Sequence, residues 1–148
     1  MLSNSYFWQS GLVFLIGLVP FLEIYVAIPA GLAMGLDPVS SFAWATLGNC
    51  LPLALVPRFH DWVHRHERLG GWIDRFISEK WERRFNRYGK GALLAFTPWV
   101  GVWATAASAA ALRVAPNVIV FWGCLSIVLY GLGTVLLGVG VMSFFGGD

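Results

Sequence analysis

The stretch PFLEIYVAIPAGLAMGL, Pro20–Leu36, decides the fold. It lies in a longer apolar run, Leu12–Leu36, that holds one carboxylate, Glu23, and two prolines, Pro20 and Pro29. A charged side chain at mid-bilayer costs roughly 2.5–3.5 kcal/mol on insertion scales, so an acidic residue there marks a binding or transport site. Each proline lacks a backbone N–H and frees a carbonyl. Such breaks persist at membrane depth only where protein or a water-filled cavity satisfies the freed groups. The stretch reads as a proline-broken membrane helix built around a carboxylate.

The rest of the chain has a matching composition. Of 148 residues, 57% are hydrophobic and 12% charged, whereas a soluble domain carries about 25% charged residues. Nine of the ten basic and five of the eight acidic residues fall within Arg58–Lys90, and only Glu23, Asp37, Arg113 and Asp148 are charged elsewhere. An integral membrane protein with one hydrophilic loop is expected. Met1–Ser10 has no basic residue, so the first apolar run is read as part of the mature protein and not as a signal peptide. Cys50 and Cys124 stand alone in apolar spans and read as packing residues.

Four apolar blocks follow: Phe7–Leu36, Val39–Pro57, Gly91–Leu112 and Val118–Phe145. Each approaches or exceeds the about 20 residues that cross a bilayer as a helix. The first and third are broken by Pro20, Pro29 and Pro98. The second and fourth read as simple spans, with a kink at Pro52 and a small face of Gly131, Gly133, Gly138 and Gly140 suited to close packing. Pro20 and Pro38 stand as far apart as Pro98 and Pro116. Paired broken segments in two halves point to an inverted-repeat transporter with its site at the repeat interface. The expected fold is all-α: two proline-broken re-entrant hairpins and two spanning helices in one membrane domain, 1–148. Its first half is 7–57, its basic loop 58–90 and its second half 91–145.

Within the loop, Leu69, Trp72, Ile73, Phe76, Ile77, Trp81, Phe85 and Tyr88 keep helical spacing, opposite Arg75, Glu79, Arg83 and Arg87. Trp72–Tyr88 is therefore expected to form an amphipathic helix, lying on anionic headgroups or packed on its own protein. The loop's net charge is positive, which favours the cytoplasmic side and leaves Asp37 outside and Arg113 inside.

Glu23 can hold a proton, a cation or a cationic substrate, because desolvation raises a carboxyl pKa and makes the group exchangeable. Alternatively it caps backbone or pairs with Arg113. Tyr25, Trp99 and Trp103 offer aromatic faces to a cation or anchor the chain in lipid. Asn49 either donates to the site or bonds across helices. His60, His64 and His66 lack any companion metal-ligand set, so no metal or other cofactor is expected. No nucleophile elbow, phosphate loop, paired catalytic carboxylates or nucleic-acid motif occurs, so neither an enzyme nor a nucleic-acid binder is expected.

Four motifs in order, PFLEIYVAIPAGLAMGL, LGNCLP (Leu47–Pro52), RYGKGALLAFTP (Arg87–Pro98) and the small-residue run Ala104–Leu112, resemble the small multidrug export protein family of prokaryotic membrane proteins. That family is distantly similar to DedA-type proteins with two re-entrant hairpins. Glu23, Pro29, Asn49 and Pro98 match its pattern. Tyr25 stands where the family usually has a basic residue, and TPWVGVW (Thr97–Trp103) replaces its glycine-threonine turn. The resemblance implies a small transporter in the prokaryotic inner membrane. It would export lipophilic cations, with proton coupling through Glu23, and pair as a homodimer among membrane lipids. A DedA-like lipid carrier or flippase is the alternative, and a non-transporting scaffold or accessory subunit the alternative of another class. The expected binding residues are Glu23, Tyr25, Pro29, Asn49, Pro98, Trp99, Trp103 and Arg113.

Overall fold

The computed structural model describes residues 4–64, 83 and 86–145, and every regular element among them is helical. The helices are α1 (Asn4–Leu18), α2 (Glu23–Ala33), α3 (Pro38–His64), α4 (Lys90–Val100), α5 (Val102–Ala111) and α6 (Pro116–Phe145). At 1.5 Å per residue, α3 and α6 are about 40 and 45 Å long, and both are apolar enough to cross a membrane. The other four reach only about 15–22 Å, short of a hydrocarbon layer of about 30 Å. Length alone therefore separates two helices long enough to span from two pairs of short ones.

The first pair is a helical hairpin. Near the start of α1, Gln9 Nε2 donates to the Met34 carbonyl just past α2 at 2.7 Å, and the Tyr6 and Ser40 hydroxyls are 3.0 Å apart. These contacts bring the start of α1 to the end of α2, so residues 19–22 form the tip. There Phe21 (φ 73°) and Glu23 (φ 47°) enter left-handed backbone, which costs roughly 1–2 kcal/mol for a residue bearing a Cβ.

The positions of the breaks correct the sequence reading. Pro20 lies at the tip as expected, but α2 continues through Pro29. Pro98 likewise sits inside α4, and the chain turns at Gly101 (φ 94°, ψ 149°), a conformation open to glycine. The reason is geometric: a proline removes one helical hydrogen bond, whereas a reversal needs backbone outside the helical basin. Pro52 and Pro57 are also carried inside α3.

Both pairs hand over to a long helix through the same backbone bonds. Met34, Gly35 and Leu36 N–H donate to the Ala30, Leu32 and Gly31 carbonyls. Leu112, Arg113 and Val114 donate to Ser108, Ala110 and Ala109. One turn later Ser41 donates to Asp37, and Ile119 to Ala115. On the frame that lays Pro38 on Pro116, every donor and acceptor has its counterpart. Each turn is a Schellman motif, with Gly35 (φ 86°) in the left-handed position of the first and Arg113 (φ 59°) in that of the second.

Packing groups the chain into two compact units, Met1–Asn49 with Val128–Asp148, and Cys50–Ile127. The first contains α1, α2, the first part of α3 and the last part of α6. Lipid is as apolar as leucine, so helices in a bilayer associate through close packing and hydrogen bonds, not through burial from water. Small residues supply that closeness here. A Cβ on Gly48 of α3 would lie 2.2 Å from the Phe14 carbonyl oxygen of α1, so only glycine fits. The second unit is built around α5, VWATAASAAA, in which Val102 and Thr105 through Ala110 are all buried. The expected amphipathic helix Trp72–Tyr88 lies mostly outside the described residues; its Arg83 and residues 86–88 are helical and exposed.

Candidate functional site

Glu23 opens α2 at the hairpin tip and is only 6% exposed. The first turn of a helix has unpaired N–H groups and the positive end of the macrodipole, which together favour a carboxylate. Asn49 reaches the same tip from α3 and is 1% exposed. With its amide oriented to satisfy both ends, Nδ2 donates to the Gly17 carbonyl at 2.8 Å and Oδ1 accepts from the Ile24 N–H at 3.2 Å. Gly17 is near the end of α1 and Ile24 near the start of α2, so one side chain joins the two broken ends. Asn49 thus bonds across helices.

Beside the tip runs an apolar groove of about 840 Å³ between α2 and the last part of α6. Tyr25, Pro29 and Leu32 form one wall, and Tyr130, Gly133 and Leu137 belong to the other. Two glycines shape it. A Cβ on Gly138 would meet Leu32 Cδ1 at 2.9 Å, so α6 touches α2 there, while a Cβ on Gly133 would meet nothing within 4 Å. The helices pinch at one glycine and leave space at the other. Thr134 turns its hydroxyl back onto the Tyr130 carbonyl at 3.0 Å, which keeps that wall apolar. Tyr25 lies on the groove wall two residues after Glu23, which is not itself among the lining residues. Pro29 also removes the helical partner of the Tyr25 carbonyl on this wall.

The other expected residues belong to the second unit. Pro98 is half-buried in α4 and cannot donate to the Leu94 carbonyl; Ser126 Oγ of α6 does so instead, at 2.5 Å. The Thr97 hydroxyl donates to the Leu93 carbonyl one turn back. Trp99 is 78% exposed, Trp103 half-buried, and Arg113 exposed in its turn. The structure therefore groups Glu23, Tyr25, Pro29 and Asn49 in one unit, and Pro98, Trp99, Trp103 and Arg113 in the other. Among the described residues no cluster of three metal-binding side chains occurs.

Sequence reasoning missed Tyr130, Gly133 and Ser126. The α6 glycines were visible but read as a packing face alone. Ser126 had a usable signal, since a proline in a buried helix requires a donor for the carbonyl four residues back.

A family model described as "Putative small multi-drug export protein" matches residues 23–132. The match begins at Glu23 and takes in both the hairpin's second helix and the whole of α3, α4 and α5. No curated protein and no solved structure matches.

Proposed function

The chain belongs to the small multi-drug export protein family, and from that premise we propose that it is a membrane transporter that exchanges lipophilic cations for protons at Glu23. The observation that carries this reading is a 6%-exposed carboxyl group that opens α2, the helix whose residues from Tyr25 to Ala33 wall an apolar groove. The groove takes the apolar body of the substrate, and the rings of Tyr25 and Tyr130 present faces that attract its charge. A carboxyl group at membrane depth marks a site for a proton or a cation. In this reading Glu23 holds one of the two, and arrival of one releases the other. Alternation between those two occupants couples the fluxes without a second buried charge.

In this reading α1–α2 and α4–α5 are re-entrant hairpins dipping from opposite faces, and the protein is an inverted repeat in the prokaryotic inner membrane. The short lengths of the four helices and the matched Schellman turns support it. A symmetric homodimer would enclose a path that about four membrane segments cannot enclose alone. The groove's size and apolar walls also suit an acyl chain, so a lipid carrier is the second reading.

Purified protein in liposomes tests both. Uptake of tetraphenylphosphonium driven by a proton gradient, with a pH dependence lost in Glu23→Gln, is the expected result. If the mutant retains wild-type transport and pH profile, Glu23 is structural and the exchange model is wrong. Movement of a fluorescent phospholipid without cation uptake selects the carrier.

A further inference from the structure

Cys50 and Cys124 read from sequence as isolated packing residues, yet α3 and α6 place them as interacting neighbours beside the point where Gly123 of α6 meets Leu53 of α3. Both are free and half-buried, and both lie inside the helical stretches long enough to cross a membrane, Pro38–His60 and Pro116–Val141. One residue before Cys124, a Cβ on Gly123 would stand 2.7 Å from Leu53 Cδ1, three residues after Cys50, so α6 is seated directly against α3. Side-chain rotation between helices packed this closely can bring two neighbouring thiols to the about 2.05 Å of a disulfide.

We propose that Cys50 and Cys124 form an oxidisable dithiol, a modification site for lipid-borne hydroperoxides that locks α3 to α6. One sulfur attacks the peroxide oxygen, the O–O bond breaks, and the products are a sulfenic acid and the corresponding alcohol. The second thiol then attacks the sulfenic sulfur. The S–S bond forms, the S–O bond breaks, and the hydroxyl departs with the thiol proton as water. Overall the two thiols lose two electrons and the hydroperoxide gains them. Half-burial within the spans gives a lipid-soluble oxidant access. This inference does not depend on the transport reading.

The test is oxidation of the full chain in liposomes by cumene hydroperoxide, followed by alkylation with N-ethylmaleimide and intact-mass measurement. The expected product is a monomer lighter by two hydrogen atoms that takes up no maleimide and recovers both sites after dithiothreitol. Single variants Cys50→Ala and Cys124→Ala should instead accumulate a sulfenic acid trapped by dimedone. Wild-type thiols that stay fully alkylatable, or disulfides formed only between chains, overturn the proposal. Faster oxidation by hydrogen peroxide than by cumene hydroperoxide overturns its assignment to a lipid-borne oxidant.

Discussion

The Asn49 side-chain amide donates to the Gly17 carbonyl at 2.8 Å and, through its oxygen, accepts from the N–H of Ile24, the residue after Glu23. A single buried side chain thus satisfies both sides of the break that carries the carboxyl group. Asn49→Leu keeps similar bulk but leaves two buried backbone groups unpaired, at an expected cost of about 2–4 kcal/mol. Exposed Leu47 on the same helix, changed to Ala, should stay within about 0.5 kcal/mol of wild type. Midpoints of denaturant unfolding in detergent check the pair, and equal effects at the two positions would rule out the clamp.

Ser126 serves the second broken segment by donating to Leu94, whose helical partner Pro98 cannot supply an N–H. Ser126→Ala should cost about 1 kcal/mol, near the middle of the range measured for hydrogen bonds between membrane helices. Pro98→Ala returns an N–H to α4, so the same serine change should cost clearly less in that background. A double-mutant cycle measures the difference. Equal costs in the two backgrounds would mean the hydroxyl is not replacing the bond lost at the proline.

These two clamps mark what the sequence could and could not reveal. The four apolar blocks were legible in the sequence, and the second and fourth are the two long apolar helices α3 and α6. The breaks were misplaced at Pro29 and Pro98 because proline signals a lost hydrogen bond, not a change of chain direction. Left-handed backbone at Phe21, Glu23 and Arg113 has no sequence signal, since none of these residues favours it. The groove was hidden because Gly133 and Gly138 are chemically identical and differ only in what faces them. The Cys50–Cys124 contact was hidden for a related reason: nothing local encodes which faces of two distant helices meet.

Asp37 gives a pH prediction at the aqueous end of the hairpin. Its Oδ1 accepts the Ser40 N–H at 2.9 Å in an N-cap on α3, and bonds from the Ser40 side chain and backbone lower its carboxyl pKa from 3.8. A depressed carboxyl pKa contributes stability above the unfolded-state value, and that contribution is lost as pH falls through the folded value. Acidification below 3.8 should therefore loosen the start of α3 in wild type. Asp37→Asn keeps a capping oxygen but cannot titrate, so its stability should lack this acid-dependent component. Because Asp37 is exposed, the effect will be small, and it should shrink further in high salt. Hydrogen exchange at Ser40 and Ser41 between pH 5 and 3 provides the measurement, and parallel profiles for the two proteins would exclude the linkage.

The groove prediction separates binding from folding. A Cβ on Gly133 meets nothing within 4 Å and Gly133 lines the groove, so Gly133→Leu is expected to extend into the space between α2 and α6. Replacing an interior helical glycine should leave stability unchanged or raise it by up to about 1 kcal/mol. Gly138→Leu adds the same atoms where a Cβ already meets Leu32 at 2.9 Å, so it should destabilise the helix pair by about 1–3 kcal/mol. If tetraphenylphosphonium sits in the groove, Gly133→Leu should weaken its binding at least tenfold, a loss of about 1.4 kcal/mol, while the unfolding midpoint does not fall. Equilibrium dialysis and denaturant unfolding on the same samples measure the two quantities. Wild-type affinity in a correctly folded Gly133→Leu protein would place the cation elsewhere and leave the groove without a role in transport.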